Sequence, residues 1–355
     1  MTADTRDQRI ASLKIIEEYF WMFLRHLGRH AGTRLGDAGL RALEEGFHLC
    51  GQYRGESMRQ NPATLASGND ALSLLRAWDV SDLAFAHPDS VVQVQGGPAE
   101  ATVTLPRVPG SEYFDNQEGS EILALYWANT LLGIAEGFDE EMSVSHSDIP
   151  ADGSGPMTIT FTYSGDTSGA SEELPSDRFA DSASAIRFSR RTFGVFGALG
   201  MYVARALEGR FDASGEEIMR KSLYDFGFER AEGMKEEALA AEMPLNFESW
   251  SEIIQRRDPN STAFVFRGSS HLSPGVMHTT CTYCPCAEVW AEEGQRGLAF
   301  GYIYDMEVHR GLVEGFHPGG VVSWAKVKTR GDKVCDFRFL IPDLVTPSDP
   351  EWARR

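Results

Sequence analysis

Apolar residues recur at helical spacing near Leu13–Leu27 and again near Phe193–Leu207, and each stretch predicts an amphipathic helix. After each comes a second helix with a glycine, arginine, glutamate and methionine block, a mixed segment, a third helix ending in Glu-Gly-Phe, and a hairpin. The two series align residue by residue. Gly39, Gly51, Arg54, Glu56 and Met58 fall on Gly215, Gly227, Arg230, Glu232 and Met234 at an offset of 176. From about residue 100 the offset becomes 178, pairing Tyr126 with Tyr304, Gly133 with Gly311, Glu136-Gly137-Phe138 with Glu314-Gly315-Phe316, and Phe161 with Phe339. A register held this long predicts an internal duplication.

Between the series lies Ser164 to Ile186, polar, acidic and rich in serine and glycine, with the composition of a surface linker. The expected organisation is a structural repeat over 1–163, a linker over 164–186, and a second repeat over 187–345. The fold class expected is α+β: two similar helix-rich halves, each with a small antiparallel sheet, arranged as an internal pseudo-dimer.

Charge and composition narrow the function. The 33 basic residues stand against 52 acidic ones, a net charge of −19, and no basic cluster exceeds Arg190-Arg191, which argues against a nucleic-acid partner. The first residues lack the pattern of a secretory signal, and the longest apolar stretch, Phe193 to Ala204, is too short to span a bilayer. A cytoplasmic protein with a small-molecule substrate and no membrane partner is expected, and homo-oligomerisation is compatible with this. Five cysteines in 355 residues are too few and odd in number for a disulfide framework. Cys50 stands where the second series has Phe226, which reads as a core position, whereas Cys281, Cys284, Cys286 and Cys335 crowd the last quarter.

The differences between the series locate the chemistry. At the offset of 178, His278 replaces Glu100, Cys281 Val103, Cys284 Pro106, Asp305 Trp127, His309 Leu131, and Cys335 Met157. The shared positions are those a backbone and core require, and the differing ones are reactive. His278 to Gly294 reads as a loop entering a short helix, with Pro285 at its first position, Gly294 as its stop and Cys284 as N-cap. A thiol there faces unpaired N–H groups and the positive end of the helix dipole, which favour a thiolate. His278 is the nearby proton acceptor if the loop folds back. The other reading of the same residues is a Zn²⁺ site built from Cys281, Cys284, Cys286 and Cys335.

Leu298 to Phe316 predicts a helix with Asp305 and His309 one turn apart on one face and Tyr302 a turn earlier. A carboxylate so placed orients an imidazole and fixes its tautomer. Val321 to Lys328 and Val334 to Leu340 read as strands around a Thr329–Lys333 turn, in which Arg-Gly-Asp is a turn signal only. In the second strand Cys335, Phe337 and Phe339 alternate with Asp336 and Arg338, so Cys335 faces the apolar side.

Cys284-Pro285 followed by Ala287-Glu288-x-Trp290, a helix with Asp305, the Glu314-Gly315-Phe316-x-Pro318 turn and a closing Gly331-Asp332-x-x-Cys335-x-Phe337-x-Phe339 together resemble the L-2-amino-thiazoline-4-carboxylic acid hydrolase family. The resemblance spans roughly residues 190–341 and implies hydrolytic opening of a cyclic C–N bond in a small sulfur heterocycle. It makes the first series a degenerate member that lacks the Cys-Pro and the final cysteine.

The expected enzyme adds to a polarised C=N or C=O carbon. Cys284 is thiolate nucleophile or metal ligand, His278 or His309 moves protons, Asp305 orients, Cys335 completes the pocket, and Tyr302, Glu288 and Glu314 bind substrate. No cofactor is required unless the thiols are ligands of zinc. A zinc-containing small-molecule sensor or carrier without turnover is the alternative, and a thiol redox module is a third.

Overall fold

The computed structural model describes residues 6–60, 68–77, 93–114, 117–149, 155–168, 170, 182–257 and 265–354. Most of the expected linker, residues 171–181, lies outside the described residues, and helix begins again at Ser182. The two helices expected at the start form one element, α1 (Arg6–Arg59), broken at Gly36, where φ is 56°. α2 (Ala71–Ala77) and α3 (Gln117–Phe138) follow in the first half. In the second half α4 (Ser182–Phe211) and α5 (Ala213–Ala240) part at Asp212, where φ is 49°. Asp212 stands at the offset of 176 from Gly36, so the same break recurs in the same register. Glycine enters this left-handed region freely and aspartate is one of the few other residues that tolerate it.

Four glycines fix how the helices cross. A Cβ on Gly51 would collide with the carbonyl oxygen of Thr130, and one on Gly133 with that of His48. The second half repeats the arrangement: Gly227 lies against the Val308 carbonyl and Gly311 against that of Tyr224. Each crossing is thus backbone on backbone, and each carries a glutamate. Glu136 meets His48 Nε2 at 3.0 Å, and Glu314 accepts the Tyr224 hydroxyl at 2.6 Å. Gly227 lies on α5 and Gly311 on α8 (Gly294–Phe316), which follows the short α7 (Pro285–Glu292). α8 starts at Gly294, the residue expected to stop α7.

The sheets repeat as well. β1 (Gln93–Gly96), β2 (Glu100–Leu105), β3 (Met142–His146) and β4 (Met157–Tyr163) form an antiparallel sheet in the order β1-β2-β4-β3. β5 (Val265–Leu272), β6 (Val276–Tyr283), β7 (Val321–Lys326) and β8 (Cys335–Leu340) take the order β5-β6-β8-β7. The α+β class holds, with one four-stranded sheet in each half.

Strand register corrects part of the expected alignment. Leu105 lies opposite Met157, as Cys281 lies opposite Cys335. Cys335 is 178 residues beyond Met157, yet Cys281 is 176 beyond Leu105. The counterpart of Cys281 is therefore Leu105 rather than Val103, and that of His278 is Thr102 rather than Glu100. The offset changes after β2, in the loop that holds Pro106, where extra residues cost no ladder hydrogen bond. His278 to Tyr283 is also strand, not the loop expected before the Cys-Pro.

The chain divides into compact units Met1–Gly215 and Glu216–Arg355. In the first, Trp21 sits edge-on to Tyr126 at 5.4 Å, and Phe23 packs on Phe196 of α4 at 5.3 Å. Cys50 is buried there, as the core reading expected. In the second, α6 (Phe247–Arg257) sets Trp250 against Phe316 at 5.1 Å and Phe339 at 6.1 Å. Among the described residues no helix is long and apolar enough to cross a membrane.

Because the crossings leave no room for a methyl group, Gly227→Ala and Gly311→Ala should each destabilise the protein by about 1–3 kcal/mol, the usual cost of overpacking. Urea denaturation followed by circular dichroism would read this as a lower midpoint, and an unchanged midpoint in both variants would refute the backbone contact.

Candidate active site

The site is built from the inner face of the second sheet. Side chains alternate across a strand, and β6 and β8 pair Met277 with Phe339, Thr279 with Phe337 and Cys281 with Cys335, which sets these residues on one face. Cys281 and Cys335 are both buried there. At the end of β6 the ladder slips: Tyr283 pairs with Val265 and Cys281 with Phe266, leaving Thr282 as an extra residue. Such a bulge re-aims the residues beyond it. It turns Cys284 back to the side that Cys281 faces, and Cys284 accordingly exerts its charge on both Cys281 and Cys335.

Cys284 is the N-cap of α7, as its sequence predicts, with Pro285 just inside the helix. Its Sγ accepts the Ala287 N–H at 3.4 Å. Of the four clustered cysteines Cys284 alone is half-buried, and the other three are buried.

The neighbouring thiols are held as thiols. Burial pushes Cys281 well up, helped by the charges of Cys284 and Cys335, and its S–H donates to the Tyr283 carbonyl at 3.1 Å. Burial and then the charge of Asp305 raise Cys335 to about 12, although its sulfur accepts the Lys328 N–H at 3.3 Å.

α8 closes the site from the other side. Asp305 is 6% exposed, and burial raises its carboxyl to about 7, near the point where it holds a proton half the time at neutral pH. One long hydrogen bond, from the Thr329 hydroxyl at 3.4 Å, does little to offset this. His309 is half-buried, and the desolvation of its ring lowers it to about 4, so the ring is neutral at physiological pH. Its Nδ1–H donates to the backbone carbonyl of Asp305 at 2.8 Å, and its ring lies on Phe337 with centroids 4.6 Å apart. The carbonyl, not the expected carboxylate, orients this imidazole and leaves Nε2 as its basic atom.

The 3-10 turn Lys328–Arg330 covers the group. It supplies the Lys328 N–H and the Thr329 hydroxyl, while Lys328 Nζ meets Glu288 at 2.9 Å and Arg330 stacks over Tyr302 at 4.2 Å. Asp332 accepts the Val327 N–H at 2.8 Å and Gly331 has φ 95°, so Arg-Gly-Asp is the turn its composition predicts.

The structure therefore gathers Cys281, Cys284, Cys335 and Asp305, with His309 one helical turn along. Tyr302 and Glu288 are held at the edge by Arg330 and Lys328. His278 is not brought in. It lies on the opposite face of the sheet, where its Nε2 meets Asp336 at 2.7 Å and its ring meets Trp352 at 5.7 Å. The reason is the strand, whose alternation separates residues 278 and 281. Glu314 is also outside the group, nine residues or about 13 Å along α8 from Asp305, bound to Tyr224. Cys286 is fully buried, facing Tyr304.

Sequence reasoning misses three participants. Thr329 and Lys328 sit in a turn whose composition signals only a turn. Tyr304 reads as structural because the other series shares it as Tyr126, yet it lies within electrostatic reach of Cys284, Cys286, Asp305 and Arg230. A legible signal for the thiol group is Cys281-Thr282-Tyr283-Cys284, a C-x-x-C spacing. As for metal, among the described residues the clustered cysteines form no set of three ligand atoms all within 4.8 Å of one another.

The same positions in the first unit are hydrocarbon: Leu105, Trp127, Leu131 and Met157 are all fully buried. Comparison with known proteins bears on the half that carries the thiols. Residues 194–339 match the model of the L-2-amino-thiazoline-4-carboxylic acid hydrolase family. The matched segment contains Cys284, Asp305, His309 and Cys335, and it agrees with the resemblance read from the sequence. No curated protein and no solved structure matches the chain.

The two desolvated titrating groups act on stability with opposite sign. Asp305, raised from 3.8 to about 7, contributes stability that is full below about pH 4 and is lost as the pH rises to about 7. His309, lowered from 6.5 to about 4, makes stability fall as the pH drops through that interval. Asp305→Asn should therefore gain on the native protein as the pH rises, on the order of 4 kcal/mol at most between plateaus. It should also unmask the His309 slope between pH 4 and 6.5. Urea unfolding at a series of pH values checks this, and parallel profiles for the two proteins would contradict it.

Proposed function

We propose that residues 187–345 form a thiol-dependent hydrolase that opens a C–N bond in a small, amidine-like heterocycle, and that residues 1–163 are a degenerate copy kept for structure. The observation that carries the reading is a half-buried N-cap cysteine and a buried carboxyl near neutrality, both within electrostatic reach of Cys335, in a segment matching a hydrolase family. A ring carbon double-bonded to nitrogen needs a nucleophile and a proton for the leaving nitrogen.

Cys284 Sγ adds to that carbon. The ring C–N bond breaks and the nitrogen takes a proton from Asp305, whose pKa of about 7 suits both giving and regaining it. Water then attacks the same carbon and expels the Cys284 thiolate, with Asp305 or His309 Nε2 receiving the water's proton. Tyr304 and Cys335 line the enclosure, and the buried surroundings strengthen each charge interaction. Lys328, paired with Glu288 at the edge of the group and within electrostatic reach of Cys284 and Cys281, is a cation that a substrate carboxylate could share. The thiolate route is preferred to zinc because of the ligand spacing. The degenerate copy is supported by the shared sheet order, the recurrent break at Gly36 and Asp212, and the matched glycine crossings.

With 2-amino-thiazoline-4-carboxylate as substrate and product formation followed by chromatography, Cys284→Ser and Cys284→Ala should each lower kcat by at least about a hundredfold. Asp305→Asn should lower it by about a hundredfold or more. Iodoacetamide at neutral pH should label Cys284 before the other thiols. Turnover that survives both Cys284 substitutions would overturn the assignment.

A further inference from the structure

Beyond hydrolysis, the thiols outnumber what one nucleophile needs. Cys281 and Cys335 stand directly opposite one another on neighbouring antiparallel strands, and both are free. Directly opposed antiparallel residues have Cα atoms about 4.5–5.5 Å apart, inside the span of about 4.4–6.8 Å that a disulfide accepts. Both side chains leave the same face of the sheet. The fold does not require a thiol at either place, since the equivalent pair in the first unit is Leu105 opposite Met157.

We infer that Cys281 and Cys335 are a reversible oxidation site, joined by a cross-strand disulfide when peroxide enters through Cys284. Two buried thiols held protonated react slowly by themselves, because the thiolate is the reacting form. Cys284 is the half-buried member of the group, it caps a helix, and its charge reaches both others. It therefore serves as the point of entry.

The Cys284 thiolate attacks one oxygen of hydrogen peroxide, the O–O bond breaks, and hydroxide leaves a sulfenic acid on Cys284. The sulfur of Cys281 displaces that hydroxyl, which departs as water with the Cys281 proton. The sulfur of Cys335 then attacks Cys281, gives up its own proton, and releases the Cys284 thiolate. Two thiols have lost two electrons and two protons, and peroxide has become two waters. The Cys281–Cys284 bond is only transient, because Cys335 stands directly opposite Cys281 in the ladder and displaces Cys284 from it. The end state joins β6 to β8 across the floor of the site and leaves Cys284 reduced.

The test needs no substrate, so it stands or falls apart from the hydrolase reading. The full chain is treated with hydrogen peroxide, free thiols are blocked with iodoacetamide, and peptides are mapped by mass spectrometry without reductant. A Cys281–Cys335 cross-link is expected, with alkylatable thiols in the unfolded protein falling from five by two and returning after dithiothreitol. Cys335→Met, which copies the first unit, should abolish the cross-strand peptide and leave the Cys281–Cys284 link in its place, and Cys284→Ser should slow cross-linking at least about tenfold. The inference is overturned if the map of the unsubstituted chain shows five alkylated cysteines, a lasting Cys281–Cys284 link, or over-oxidised Cys284 without the cross-strand bond. Cross-linking at an unchanged rate in Cys284→Ser would overturn the entry route.

Discussion

The arrangement of the C-terminal unit depends on one contact, the backbone-to-backbone crossing of α8 on α5 at Gly311 and Gly227. Residues along a helix turn by about 100° each, so fixing Gly311 against α5 also fixes where every other side chain of α8 points. Glu307 and Glu314, near the glycine face, meet Arg220 and Tyr224 of α5. His309 and Asp305 are turned well away from that face, toward the sheet, where Phe337 and the thiols wait. A bulkier residue at 311 would lift α8 and shift Asp305 and His309 relative to the sheet. The chemistry is thus held in place by residues that have no side chain.

The second consequence is energetic. The first unit fills the equivalent positions with Leu105, Trp127, Leu131 and Met157, an ordinary apolar core. The second unit puts two thiols, a carboxyl and an imidazole there. Burying a carboxyl with a single weak hydrogen bond costs stability above neutral pH, and an uncharged imidazole costs stability in acid. No structural need explains that cost when the same fold is satisfied with hydrocarbon. The comparison between the halves therefore separates residues that hold the fold from residues that work within it.

Much of this is legible in the sequence because repeats carry a built-in control. The glycine and aromatic positions common to both series are the crossings and the core, and the pairs that differ, such as Asp305 with Trp127, mark the site. The parts that escape a sequence reading do so for equally physical reasons. His278 and Cys281 are close in sequence, but a strand sends them to opposite faces, and nothing in composition distinguishes that strand from a loop. The Thr282 bulge, which does the reverse for Cys284, leaves no mark in a single sequence. Thr329 reaches Asp305 only through a turn whose register is set by β8. Tyr304 is hidden by the same comparison that exposes Asp305: being shared between the halves, it reads as structural.

The sheet edge where these effects meet explains why a thiol cluster could arise there. β6 ends in a bulge, passes directly into a helix, and so delivers Cys281 and Cys284 to one space from two kinds of backbone. The strand fixes Cys281 against Cys335 by ladder geometry, while the helix end supplies Cys284 with N–H donors and partial exposure. The first arrangement favours sulfur as a buried, protonated neighbour, and the second favours it as a nucleophile. Three residues of one chain thereby acquire different reactivity without any charged partner being placed for the purpose. A structural zinc site would need the opposite, namely ligands made equivalent by convergence on one point. The division of roles among the cysteines follows from the backbone that carries each of them.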